Sequence, residues 1–240
     1  VEKRAKPGAI LATNTSSIPL EEIASALADP SRLVGLHFFN PVARMMLVEV
    51  VVGATTRASL VAPAAAFVRQ IDRLPLPVKS APGFLVNRVL APYLMAAMRA
   101  VDEGIAPEAI DEAALAFGMP MGPIELADTV GLDICVAVGR LLGANAEPPR
   151  ELMKRVEAGE LGKKSGRGFY RWESGKPVKA AAGTPPAGLA ERLVGPYVDE
   201  AKAALAQGIV ADADLVDAGA IFGTGFAPFR GGPLHYAASR

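Results

Sequence analysis

The chain has 240 residues, 51% of them hydrophobic, with 25 basic and 25 acidic side chains and no formal net charge. That balance argues against nucleic acid or an anionic membrane as the main partner, since both bindings rest on a basic excess. One cysteine, Cys135, allows no internal disulfide and no cysteine-based metal cluster, which fits a reducing, cytoplasmic compartment with no metal; no apolar run approaches the roughly 18 residues that span a bilayer.

The opening "VEKRAKPG" has neither an initiator Met nor the apolar core of a signal peptide. It reads as the tail of a helix already under way, so the chain is expected to be a piece of something longer. "GAILAT" (8–13) is a short strand opened by Pro-Gly, and "IPLEEIASALA" (18–28) has helical spacing at Leu20, Ile23, Ala24 and Leu27. "RLVGLHFF" (32–39) and "MLVEVVVG" (46–53) are strands rich in β-branched residues; "ASLVAPAAAFVRQID" (58–72) is a helix and "LPLPVKS" (74–80) a last strand. Apolar strands alternating with helices imply a mostly parallel sheet covered on both faces.

The character changes at "APGFLVNR" (81–88). A helical stripe over 84–104 runs through Leu90, Tyr93, Leu94, Ala97, Met98 and Val101, with Pro92 inside it. Further helices are expected over 107–118, over 122–131 with Pro123 at the first helical position, and over 132–143 with Asp133 as N-cap and Leu132 as staple. No strand is expected before "GFYRW" (168–172), and 173–188 reads as a linker. Beyond it the pattern returns: 88–106 is similar to 192–210 at an offset of 104, and "FGMPMGP" (117–123) to "FGTGFAP" (222–228) at 105. Arg, Pro-Tyr, Gly-Ile and Phe-Gly keep step, which two unrelated Ala-rich helices would not.

The chemistry lies in 34–53. Period two puts Leu47, Glu49 and Val51 on one strand face and Val48, Val50 and Val52 on the other. With both faces covered Glu49 is buried, so it must be paired or protonated. His37 ends the preceding strand, and "NPVARM" is short enough to bring the strands side by side. A carboxylate bonded to imidazole fixes the tautomer and leaves the other ring nitrogen free as a general base. The spacing alone fits equally a satisfied core histidine beside a glutamate at a wet sheet edge. "ATNTSSI" (12–18) sits at the end of the first strand, where open α/β sheets bind ligands, although Ser16 or Ser17 would also serve as a helix N-cap.

"LATNTSSI", "GLHFFNPV", "LVEVV", "PGFLVNR", "MGPIELADTVGLD" and "GKKSGRGFY", in that order, resemble the L-3-hydroxyacyl-CoA dehydrogenase family over nearly the whole chain. The second helical repeat resembles the multifunctional fatty-acid oxidation α-subunits, in which the helical domain occurs twice. The resemblance implies NAD as cofactor and an acyl-CoA thioester as substrate. His37 is the implied base, Glu49 its partner, and Ser16 and Asn87 the groups at the substrate oxygens. Asn14, Asn40 and Lys164 fall near the cofactor. It also implies a thiolase subunit as a further partner and an enoyl-CoA hydratase activity elsewhere in a longer polypeptide.

One departure stands out: no strand–GxGxxG–helix occurs in the chain, and "GTGFAP" (223–228) lacks the third glycine. The expected fold class is therefore α/β plus all-α. Residues 1–80 form the carboxy-terminal half of a Rossmann-type, doubly wound domain, 81–172 a first helical domain and 189–240 a second, with 84–143 packed against 189–240. The expected contact includes Leu90, Leu94 and Met98 on one side and Leu193, Val198 and Leu205 on the other. This piece alone is expected to be inactive. A non-catalytic helical module for assembly or acyl-CoA binding is the alternative. A shorter-chain 3-hydroxybutyryl-CoA dehydrogenase also fits the motifs, with the second repeat weighing against it.

Overall fold

The computed structural model describes residues 1–16, 18–142 and 147–240. In chain order the elements are β1 (Leu11–Thr13), α1 (Leu20–Ala24), β2 (Leu33–Phe38), β3 (Leu47–Val52), α2 (Val61–Gln70), β4 (Leu74–Lys79), α3 (Val86–Asp102), α4 (Pro107–Phe117), α5 (Pro123–Val130), α6 (Leu132–Leu142), α7 (Arg150–Glu157), β5 (Arg171–Glu173), β6 (Lys176–Val178), α8 (Leu189–Ala206), α9 (Ala213–Thr224) and α10 (Pro233–Ala238). The opening residues form one 3-10 turn, Glu2–Arg4, where a helix tail was expected. Among the described residues no helix is long and apolar enough to cross a membrane. The chain divides into two compact units, 1–87 with 202–224 and 88–201 with 225–240.

The first unit is built on a four-stranded sheet in the order β1-β2-β3-β4. β1 and β2 run parallel, as do β3 and β4, while β2 and β3 are antiparallel. The reason is the connection: residues 39–46 are too few for a crossover, so the chain can only turn back. Val34, Leu36, Val48 and Val50 form one core cluster with Ala64 and Val68 of α2. Each fully buried valine among them contributes roughly 1.5–3 kcal/mol.

The opposite face, carrying Leu47 and Glu49, is covered by α9. A Cβ on Gly223 would come within 2.6 Å of Val86 and 3.1 Å of Leu47, and one on Gly219 within 2.7 Å of Leu85 and 2.8 Å of Leu76. Two glycines one helical turn apart let the α9 backbone lie directly on these side chains. Both faces are thus covered, as the strand pattern implied. The helix on the second face, however, comes from the second repeat and not from a neighbouring crossover.

The second unit is mainly helical, with the β5–β6 hairpin as its strands. Tyr93 of α3 and Tyr197 of α8, equivalent positions of the two repeats, are both fully buried, with ring centroids 6.2 Å apart at 78°. Arg88 pairs with Glu200 and Arg192 with Glu103, and Phe117 meets Phe226 at 5.7 Å. The expected contact between repeats therefore exists, with aromatic residues at its centre. Leu94, Met98, Leu193 and Val198 are buried, while Leu90 and Leu205 are half-buried. The second repeat is not a self-contained packing partner, because its α9 belongs to the sheet unit.

Two local expectations are corrected, and one helix is added. Asp133 is not an N-cap: α6 begins at Leu132, so Asp133 already lies in its first turn. Residues 171–178, partly assigned to the linker, form a β5–β6 hairpin turned at Ser174 and Gly175, both at positive φ, the geometry that two-residue hairpins favour. α7, over which no helix was expected, buries Leu152 in a sequence rich in charged residues.

Candidate functional site

The antiparallel register places His37 directly opposite Glu49. Glu49 is wholly buried, and its Oε2 lies 2.7 Å from His37 Nδ1. Its other oxygen, Oε1, accepts the backbone N–H of Leu85 at 2.9 Å and of Val86 at 3.0 Å. Those two donors open α3, whose amino-terminal partial positive charge favours an anion there. Three donors thus satisfy a carboxylate that would otherwise cost several kcal/mol to bury. A carboxylate can only accept, so Nδ1 carries a proton, and in the neutral imidazole Nε2 is then the nitrogen with the lone pair. This arrangement excludes the wet sheet edge that the spacing left open.

The imidazole is 5% exposed and held edge-on by Phe39 at 4.6 Å and Phe84 at 5.5 Å. Phe84 itself has a φ of 49°, a left-handed conformation that costs a bulky residue about 1–3 kcal/mol. That strained residue immediately precedes the two amides that hold Glu49.

The other sequence-derived residues fall into three groups. Asn14 follows β1, and its Oδ1 accepts the N–H of Phe38 at 2.9 Å, tying the ends of β1 and β2 together. Asn87 is half-buried in the first turn of α3, directly after the amides on Glu49. Ser16 and Asn40 are exposed, beyond the carboxy-terminal ends of the parallel strands β1 and β2, and among the described residues neither bonds to His37 or Glu49. Ser16 does not cap α1, whose N-cap is Pro19 without a side-chain bond; Thr15 Oγ1 instead accepts the N–H of Ile18. Ser17 lies outside the described residues. Lys164 belongs to the second unit, where its Nζ donates to both oxygens of Asp133 at 2.6 and 2.7 Å.

The sequence reading missed two buried carboxylates that organise the helical unit. Asp111 accepts from the N–H groups of Ile124 and Glu125, from Tyr170 Oη and from Lys179 Nζ. Asp128 accepts from the N–H groups of Phe169 and Tyr170 and from Trp172 Nε1. Burial pushes both carboxyls above the usual carboxylate range, against the opposing effect of their donors. The available signal was an aspartate within each apolar helical stripe, the same signal that singled out Glu49 in its strand.

Chemically, the first unit offers an imidazole held through Nδ1 in a fixed orientation, with Nε2 not used by Glu49. Amide and hydroxyl groups lie at the same strand ends. Comparison with known proteins bears on what such a site serves. Residues 1–81 match the domain family described as 3-hydroxyacyl-CoA dehydrogenase, NAD binding domain, and 83–172 the one described as 3-hydroxyacyl-CoA dehydrogenase, C-terminal domain. The fatty acid oxidation complex subunit alpha of Vibrio cholerae is 40% identical over 252 residues, covering 98% of this chain and 36% of that protein. The corresponding subunit of Shewanella oneidensis is 38% identical with the same coverage. The chain therefore spans about a third of the length of these curated relatives.

Among solved structures, 3-hydroxybutyryl-CoA dehydrogenase from Escherichia coli aligns with a TM-score of 0.81 and 28% identity, over 96% of this chain and 68% of that one. The (S)-3-hydroxybutyryl-CoA dehydrogenase of Ralstonia eutropha aligns with a TM-score of 0.66 and 40% identity, over 69% of this chain and 61% of that one. The E. coli alignment runs through both helical repeats, so the second repeat does not by itself weigh against a short-chain enzyme.

Proposed function

The chain belongs to the 3-hydroxyacyl-CoA dehydrogenase family, and from that premise we propose that it carries the dehydrogenase chemistry of a β-oxidation enzyme, the reversible oxidation of an L-3-hydroxyacyl-CoA to the 3-ketoacyl-CoA. The observation that carries this reading is the His37–Glu49 pair, buried and fully satisfied, with one imidazole nitrogen left free. Nε2 of His37 takes the proton of the substrate 3-hydroxyl. Glu49 stabilises the imidazolium that results, and Ser16 and Asn87 orient the substrate oxygens. NAD supplies the acceptor for the hydride that leaves C3 as the carbonyl forms.

The strand ends fit the nicotinamide side of that cofactor: Asn14 joins the ends of β1 and β2, and Asn40 and Ser16 are exposed beyond them. They do not fit its pyrophosphate, because the glycine-rich loop that would hold it is not among these 240 residues. Lys164 is assigned to the cofactor by resemblance alone. The domain map proposed is 1–80 for the second half of the nucleotide-binding domain, 81–172 for the first helical domain and 189–240 for the second. In the longer polypeptide this part works beside an enoyl-CoA hydratase, in the cytoplasm, with a thiolase subunit as protein partner. What supports that extension is the resemblance, together with the relatives' name as the alpha subunit of a fatty acid oxidation complex, which says nothing of a hydratase, a thiolase or a compartment.

The test is His37→Gln in the complete polypeptide. It should lower kcat by at least ~10²-fold, the usual scale for a positioned general base. Near-normal turnover at neutral pH would sink the assignment.

A further inference from the structure

The second helical repeat has lost the chemistry of the first. At the offset of 104 that aligns Tyr93 with Tyr197, the position of Asn87 is taken by Glu191. The repeat nevertheless sends one charged group to the end of α3 that carries Asn87. Glu200 Oε1 receives Arg88 Nε at 2.5 Å, with the two side chains 31% and 13% exposed.

Arg88 is an unexpected residue at this place. It lies in the first turn of α3, where the helix dipole disfavours a cation. It is also largely removed from water. Both effects penalise the guanidinium unless an anion meets it, and Glu200 does so with a charge-assisted hydrogen bond. Arg88 follows Asn87 directly, and Val86, one residue earlier still, gives its N–H to Glu49. A side chain pulled toward Glu200 therefore sets the rotation of the one helical turn on which Asn87 and an amide donor to Glu49 both sit.

The molecule contains its own control. Arg192, the counterpart of Arg88, pairs with Glu103 of the first repeat at 2.7 Å, but those side chains are 49% and 54% exposed. Exposed pairs of this kind contribute little, and Glu103 lies just beyond the far end of α3.

We propose that Glu200 is a positioning residue for the dehydrogenation. Through Arg88 it orients the first turn of α3, the turn that Asn87 shares with Arg88. This rests on the reading in the preceding section.

The experiment is steady-state kinetics of the complete polypeptide with L-3-hydroxybutyryl-CoA and NAD. Parent and His37→Gln serve as references, beside Glu200→Ala, Glu200→Gln, Glu200→Asp and Glu103→Ala. Misplacing a positioning group by about 1 Å costs up to ~10²-fold. Glu200→Ala and Glu200→Gln should therefore lower kcat by roughly 10- to 100-fold with KM changed less than about threefold. Glu200→Asp should recover part of the loss, and Glu103→Ala should match the parent. If Glu200→Ala does not fold, Glu200→Gln, nearly isosteric, decides. Turnover within twofold of the parent in Glu200→Gln, or an equal loss in Glu103→Ala, overturns the proposal. An inactive parent would instead overturn the dehydrogenase reading itself.

Discussion

Glu49 binds His37 with one carboxylate oxygen, at 2.7 Å from Nδ1, and the start of α3 with the other, at 2.9 and 3.0 Å from two backbone nitrogens. A single buried side chain thus sets the tautomer of the proposed base and holds the amides of Leu85 and Val86, directly before Asn87. Glu49→Gln separates the two duties. The amide oxygen can still accept from Leu85 and Val86, but the amide nitrogen then faces Nδ1 as a donor. That moves the imidazole proton to Nε2 and removes the base. Expected is a loss of ~10²–10⁴-fold in kcat of the complete polypeptide, with little change in melting temperature. A variant within threefold of the parent would show that the tautomer is set otherwise.

Cofactor affinity of the 240-residue chain alone should be weak or absent, since the backbone amides that grip a pyrophosphate are not in it. Calorimetry with NAD is the measurement. A micromolar dissociation constant would mean that these residues hold a second phosphate site and that the proposed domain map is wrong.

The contact of α9 with the sheet should be intolerant of added volume. A side chain at Gly219 would intrude on Leu85 and Leu76, each within 2.8 Å of the new Cβ. Helix propensity favours replacing a mid-helix glycine by somewhat less than ~1 kcal/mol for a β-branched residue. Overpacking costs about 1–3 kcal/mol, so overpacking wins. Gly219→Val should lower stability in urea by roughly 1–2 kcal/mol, and an unchanged midpoint would show that α9 does not rest on the sheet as described.

Cys135 should behave as an inert core residue. It is 3% exposed, and burial pushes its thiol up to about 12, with the nearby Asp128 and Asp133 charges adding to the rise. Thiolate is the reacting species and is scarce far below that value. A disulfide-exchange reagent at pH 8 should label the native chain far more slowly than the urea-unfolded chain. Equal rates would place the thiol at the surface.

Much of this protein was legible in its sequence because the signals were local. Period two in "LVEVVV" sorted the faces of β3 correctly, Val48 and Val50 going to the α2 core and Glu49 to the other side. The short connection after His37 forced the strands together, and the Pro-Tyr register exposed the repeat. These patterns act over a few residues, where backbone geometry allows few alternatives. What the sequence left open was every choice of distant partner. The second oxygen of Glu49 is satisfied by amides of residues 85 and 86, the second face of the sheet by α9, and Arg88 by Glu200. No periodicity encodes such pairings. They follow from shape and from the need to satisfy buried charge, which only the assembled chain resolves. The β5–β6 hairpin escaped for a related reason. Strands of three residues carry too little pattern to read, and what holds their neighbourhood in place is Asp128, far away in the chain, accepting from Trp172.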